Sequence, residues 1–434
     1  MKEIKEIYQL FTQYPFITTD TRKVLKDSLF FALKGENFDA NDFVEDALQK
    51  GAAYVITERA DLADKAGVIV VDDSLKCLQE LAAYHRSQLS IPFIAITGSN
   101  GKTTTKELIA RILSKKYKVF STPGNLNNHI GLALSILMID DAFEIAVIEI
   151  GANQIGENRY LTQICQPHTG VCCNIGKDHL GVFGGEQAVI EAYKEFIEVF
   201  NRHDERLFIL NLDDPNISSI YCGQNNISYS ASNTDADFYG EVRGKGLFLT
   251  LIVTTKEGER LDISTNLFGD YNIYNVLAAM SVGAAYSVAM QLMKEALESY
   301  HPENNRSQVV RWADNTIIFD AYNANPSSML LVLRDFNKLD VEGKWVIIGD
   351  MHELGEYSCK EHLGIIELLK SMHFEQIILV GKRFGEHHHA IDALYFEDVQ
   401  DLKEWFVKQT LSAKNILIKA SRSERLELVF KDLI

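Results

Sequence analysis

The sequence is notable first for what it lacks, and each absence closes off a class of protein. No apolar run approaches the roughly 20 residues that a bilayer-spanning helix needs, so membrane insertion is not expected. Basic residues are outnumbered: the formal charge is −17. Nucleic acid and anionic membrane are therefore not expected partners, and a polyanionic ligand would need a local basic site. The six cysteines, at positions 77, 165, 172, 173, 222 and 359, form no CxxC pair and no regular framework. A disulfide scaffold or zinc ribbon is thus not expected, and Cys172-Cys173, in the apolar run "GVCCNIG", reads as buried thiols. No repeat of fixed period and no low-complexity segment is present. The opening "MKEIKEIYQLF" carries acids and lacks a long apolar core, so it is not read as a secretory signal, and the expected location is cytoplasmic.

With 46% hydrophobic and 24% charged residues the composition is that of a globular protein. A length of 434 residues suggests two to four domains at roughly 100–200 residues each. Residues 1–90 mix short strands with helices: "DSLFFAL", "AYVIT" and "GVIVVDD" read as strands and "DFVEDALQKGA" as an amphipathic helix. From Ile91-Pro92 to about 301, continuous apolar runs ("FIAIT", "EIAVIEIGA", "TGVCCNI", "RLFILNLDD") alternate with helical periods. Such runs, unlike half-buried alternating strands, indicate a parallel sheet covered on both faces. The alternation restarts over 302–434 with "TIIFDAYNAN", "KWVIIGDM", "QIILVGK" and "NILIKAS". The expected fold class is α/β with three domains, the central one built on a P-loop-type parallel sheet.

The stretch "ITGSNGKTTTKELIARIL" holds the first site candidates. The commonest phosphate loop is GxxxxGK[ST]; here Gly98 stands three before Gly101, giving GxxGKTTT. A strand precedes it and a helix follows. Backbone N–H groups entering a helix N-terminus suit phosphate oxygens, which nominates Gly98, Ser99, Asn100 and Gly101 for a nucleotide triphosphate. Lys102 would meet the β- and γ-phosphates, and Thr103 or Thr104 could ligate Mg²⁺. Glu149 closes the apolar run "AVIEIGA" and His179 follows the strand in "VCCNIGKDH", so both are expected at the carboxyl edge of one sheet, approaching each other. His387-His388-His389 cannot all face one ion from a helix and reads as a surface run.

This shortened loop, with "GNLNNHIG", "VIEIGANQIGE", "NIGKDHLGVFG", "YNIYNVLAA", "FDAYNANPSSM" and "GDMHELGE", resembles the Mur ligases over nearly the whole chain. The resemblance implies an ATP-dependent amide-bond ligase of peptidoglycan precursor assembly, of the branch that joins D-alanyl-D-alanine to a UDP-muramoyl tripeptide through an acyl phosphate. It implies a uridine-nucleotide-binding first domain and a Rossmann-like third one. ATP and Mg²⁺ are the implied cofactors, with Glu149 and His179 joining Thr103 or Thr104 around the metal. A carbamylated lysine is implied on the helix "EQAVIEAYKEFIEVF", for which Lys194 is the candidate, although the usual wording of this branch has its lysine where Tyr193 stands.

The resemblance further implies nucleotide contacts from Asn272 and Asn275 to adenine, and from Arg306 and Asp320. Substrate contacts are implied for Asn127 and Asn128 of "GNLNN", for Tyr322, Asn323 and Asn325 of "YNANP", and for Thr21, Arg22, Lys34 and Gly35 in the first domain. The protein is expected to act on these small molecules as a monomer. A sister Mur or folylpolyglutamate-type ligase, and a nucleotide-binding paralogue that no longer ligates, are the alternatives.

Overall fold

A computed structural model describes residues 3–35, 38–303 and 305–430. The chain divides into two compact units, one comprising Met1–Ile96, Tyr117–Ala152 and Gly156–Gly170, the other Thr97–Lys116, Asn153–Ile155 and Val171–Ile434.

In the first unit β1 (Ile17–Thr18), β2 (Ser28–Phe31), β3 (Ala52–Thr57) and β4 (Val68–Val70) form a parallel sheet in chain order. Every residue of "SLFF" in β2 is buried. Phe30, Val44, Ala47 and Val55 form a core between this sheet and the helix Val44–Gln49. The same unit carries β5 (Phe93–Thr97, its last residue in the other unit), β6 (Val119–Ser121) and β7 (Ile145–Glu149), paired in parallel in the order β5-β7-β6. All five residues of β5 and of β7 are buried, as the unbroken apolar runs require. Glu149 is the last residue of β7, so the strand delivers a carboxylate to its carboxyl end.

The second unit opens with the glycine loop and the helix Lys102–Leu113. It takes up the end of β8 (Thr169–Cys172) and continues through β9 (Leu207–Asn211), β10 (Asn226–Ser230), β11 (Phe238–Arg243), β12 (Phe248–Thr255) and β13 (Arg260–Phe268), neighbours in that order. β9, β10 and β11 are parallel, whereas β11-β12-β13 are antiparallel. The reading of "FIAIT" to "RLFILNLDD" as a parallel array did not reach this extension. Its sign is the turn glycines Gly244 and Gly258, both at positive φ, and the interrupted burial of β12.

A six-stranded sheet completes the unit: β14 (Gln308–Trp312), β15 (Asn315–Phe319), β16 (Lys344–Gly349), β17 (Gln376–Val380), β18 (Leu394–Phe396) and β19 (Asn415–Lys419), in the order β14-β15-β19-β16-β17-β18. Only the β14–β15 pair is antiparallel. Ile317, Ile347, Ile378 and Ile418 fill one face against Leu402 and Phe406; burying each such side chain contributes about 1.5–3 kcal/mol. The order reverses at β19, so the carboxyl ends of β15, β16 and β19 lie side by side, the place where open α/β sheets bind ligands. Asp320, Asp350 and Ala420 follow those three strands directly.

Candidate active site

In the second unit the glycine loop is held from several sides. Gly98 has φ +130° and Gly101 φ +82°; a Cβ at Gly98 would lie 2.9 Å from the Cys173 amide nitrogen, and one at Gly101 2.4 Å from Asn275 Oδ1. Both positions therefore demand glycine. Ser99 N–H donates to Asn174 O (2.9 Å) and Asn100 N–H to Asn174 Oδ1 (3.1 Å), while Asn174 Nδ2 returns a bond to Asn100 O (2.9 Å). Lys102 Nζ curls back onto Gly98 O (2.6 Å) and Ser99 O (3.4 Å). This wraps an ammonium around the bend at the N-terminus of a 12-residue helix, where the helix dipole already favours anions. Thr103 is buried and Thr104 half-buried on its first turn.

A buried carboxyl underlies the bend. Ser99 Oγ donates to Asp178 Oδ1 (2.8 Å), and Tyr193 OH donates to Asp178 Oδ2 (2.9 Å). Burial, then Asp178 itself, pushes the Tyr193 phenol well above its ordinary pKa, so it stays a donor at any working pH. Neither Asp178 nor Tyr193 was singled out from sequence as a loop contact, though Asp178 stands beside His179 in "NIGKDH". Lys194, the residue expected to be modified, lies half-exposed with its amine 3.5 Å from Glu191. Helix packing turns its neighbour Tyr193 inward.

His179 adopts a left-handed backbone, φ +46°, at the start of the short helix Leu180–Phe183. Its Nδ1 lies 2.7 Å from Glu353 Oε2. That imidazole holds the Glu353 carboxyl below the usual range, against the opposing effect of burial. Glu353, from "GDMHELGE", is a further contact that the sequence reading missed.

Asn272 and Asn275 are both buried and engaged internally. Asn275 Oδ1 accepts from Thr105 Oγ1 (3.1 Å), Asn275 Nδ2 donates to Asn272 Oδ1 (2.8 Å), and Asn272 Nδ2 donates to Phe268 O (2.7 Å). The pair braces the helix that follows the loop. Arg306 lies over the Tyr322 ring, 3.5 Å from its centroid, with Arg422 at 5.8 Å from the same ring. Asp320 accepts from Ser307 N–H (3.0 Å) and pairs with Lys419 (2.8 Å), whose amine also reaches Asn323 O (2.7 Å). Asn325 caps the helix Pro326–Lys338 through Ser328 N–H (2.8 Å), and its Nδ2 donates to Asn100 Oδ1 (2.9 Å). Asn325, expected as a substrate contact, thus touches the glycine loop.

In the first unit Glu149 is 1% exposed, with its Oε1 accepting from Asn127 Nδ2 (2.7 Å) and its backbone N–H bonded to Thr122 Oγ1 (2.9 Å). Asn128 is exposed and its Oδ1 caps the next helix by accepting from Gly131 N–H (2.8 Å). Thr21 is half-buried, and Lys34 and Gly35 are exposed. The Arg22 side chain is 86% exposed and forks onto Asp20, at 2.9 and 2.8 Å. Among the described residues no group of three or more His, Cys, Asp or Glu forms a metal cage, and no helix is long and apolar enough to cross a membrane.

Three family models match the chain in order. They are "Mur ligase family, catalytic domain" over residues 13–86, "Mur ligase middle domain" over 96–283 and "Mur ligase, glutamate ligase domain" over 305–422. The UDP-N-acetylmuramoyl-tripeptide–D-alanyl-D-alanine ligase of Bacillus subtilis is 31% identical over 96% of this chain and 93% of its own. The chain belongs to the Mur ligase family. The Mur ligase fold described above is similar to a MurF crystal structure from Acinetobacter baumannii, with TM-score 0.87, 29% identity and coverage of 96% of this chain and 92% of that one. It is also similar to the MurF ligase of Thermotoga maritima in complex with ADP, with TM-score 0.84, 25% identity and coverage of 99% and 98%.

Proposed function

We propose that this Mur ligase is the ATP-dependent enzyme that joins D-alanyl-D-alanine to UDP-N-acetylmuramoyl-tripeptide in peptidoglycan precursor synthesis. The loop carries the nucleotide half of this reading: two obligatory glycines, a lysine curled around them and a helix N-terminus behind. The names of relatives aligned over nearly the whole chain support the substrate half.

Lys102 exchanges its two carbonyl partners for β- and γ-phosphate oxygens and balances their charge as the γ-phosphoryl moves to the terminal carboxylate of the tripeptide. The dipeptide amine then attacks the acyl phosphate, and inorganic phosphate leaves as the amide forms. Arg306, steadied on Tyr322, and the Lys419-held Asp320 contact the nucleotide. Asn323 and Asn325 are assigned to the acceptor and the loop. Asn127 and Asn128 serve the muramoyl substrate, and Thr21, Arg22, Lys34 and Gly35 its uridine diphosphate. For Asn272 and Asn275 the bracing of the helix beside Gly101 is the firmer role, with adenine contact second.

Mg²⁺ would be held by Thr103 or Thr104, Glu149 and His179, where it supplies charge neutralisation for the triphosphate. The hydroxyl and carboxylate oxygens fit that hard cation well, and the imidazole is the softer donor of the set. Lys194 remains a candidate for carbamylation. We further propose that the protein works as a monomer, divided into domains 1–90, 91–301 and 302–434. A cytoplasmic location is supported by all six cysteines being free thiols.

The direct test is phosphate release by purified protein with ATP, Mg²⁺, UDP-muramoyl tripeptide and D-Ala-D-Ala, omitting each acceptor in turn. Release that requires both the tripeptide and the dipeptide is expected. Release driven by a single amino acid selects a sister ligase, and none under any combination selects a non-ligating binder.

A further inference from the structure

Three pieces of backbone meet at one buried carboxyl. The first is the loop bend: Ser99 Oγ accepts from Gly176 N–H at 2.8 Å and donates to Asp178 Oδ1 at 2.8 Å. The second is the turn Gly176–His179, which carries Asp178 and ends in the left-handed His179. The third is the helix Glu186–Asn201, which presents Tyr193, 2% exposed, to Asp178 Oδ2 at 2.9 Å. The two carboxyl oxygens are divided between loop and helix, so the orientation of Asp178 is set by both donors. With the phenol removed, Oδ2 would be buried without that donor, and the carboxyl would turn or shift to compensate. Either change alters the acceptor that Ser99 sees, and Ser99 lies between Gly98 and Gly101, the two positive-φ glycines of the loop.

We propose that Tyr193 is a positioning residue for nucleotide binding: acting through Asp178, its hydroxyl fixes Ser99 and with it the bend that receives the polyphosphate. The inference rests on the assignment of residues 98–104 to ATP. Tyr193 touches no reacting atom. Its contribution is to keep the loop in the binding geometry before the ligand arrives, which lowers the ordering cost of association.

The test compares full-length wild type, Tyr193→Phe, Ser99→Ala and the double variant by phosphate release, by calorimetry with ADP and by thermal melting. Loss of one hydrogen bond to a carboxylate corresponds to about a tenfold change. Tyr193→Phe is therefore expected to raise the KM for ATP and the Kd for ADP about five- to tenfold. The kcat and the KM values of both other substrates are expected to stay within about twofold. In the Ser99→Ala background the further effect of Tyr193→Phe is expected to vanish, because the two residues act in series. An unchanged KM for ATP overturns the proposal, as does an effect that adds fully to Ser99→Ala, or an equal loss in every kinetic constant accompanied by a lower melting temperature. If Tyr193→Phe does not fold, Asp178→Asn tests the same link and is expected to give the same ATP-selective change. ADP binding that Lys102→Ala leaves undiminished removes the loop assignment itself, and the inference with it, whatever Tyr193→Phe does.

Discussion

The loop of residues 98–105 and the segment of residues 20–43 both carry cationic groups assigned to phosphates, yet they are built in opposite ways. In the loop Ser99 is bonded to Asp178, Asn100 to Asn174 and Asn325, Lys102 to carbonyls and Thr105 to Asn275. In the segment, Arg22 and Lys34 are exposed, and among the described residues Arg22 is engaged by its near neighbour Asp20. The loop is therefore organised before its ligand binds. The segment must order its long side chains on binding, at about 0.5–1.5 kcal/mol for each one immobilised. Rigid construction suits the triphosphate, where the bond is broken, and an adaptable surface suffices for a handle that only needs to be held.

The largest effect that would break this contrast comes from Lys102→Ala. Turnover is expected to fall by a factor on the order of a thousand, since a preorganised charge is removed from the reacting phosphates. Phosphate release measures it, and near-normal turnover would remove the contrast at its root. Next comes Asn275→Ala, which removes the bonds from Asn275 to the Thr105 hydroxyl and to Asn272 Oδ1. A loss of about 1–3 kcal/mol in denaturant unfolding is expected, together with a raised KM for ATP; a neutral result would show that the loop needs no brace.

On the other side, Arg22→Ala is expected to raise the KM for the UDP-linked substrate about tenfold while leaving the melting temperature and the KM for ATP unchanged. A drop in melting temperature would mean that the segment is structural after all. The smallest effect concerns Asp20, whose carboxyl Arg22 holds at about 2, chiefly by its side-chain hydrogen bond. A lowered native value stabilises the fold above the ordinary carboxyl pKa of about 3.9 and is lost as pH falls towards 2. Unfolding followed between pH 5 and 2 should show a slight extra loss in wild type that Asp20→Asn lacks. Across the neutral range the pair should leave substrate binding insensitive to pH.

Much of this was legible from the chain alone. "FIAIT" and "EIAVIEIGA" announced buried parallel strands because their apolar runs continue to the strand end, and "GSNGKTTT" announced a glycine bend leading into a helix. Strand-end placement of Glu149 followed from the same run. The antiparallel strands 238–268 were passed over because their burial is interrupted, so they show no continuous apolar run like those of the parallel strands before them.

Local pattern settled the parallel strands and the glycine bend, and the succession of motifs pointed to the family. Tertiary structure alone decided the partners. Tyr193 and Lys194 are adjacent in sequence, but a helix sets them about 100° apart, and only packing against the turn at Asp178 selects which one faces the loop. Asn275 and Gly101, or His179 and Glu353, are more than 150 positions apart. Their meeting depends on how sheets and helices stack, and no local periodicity carries that information.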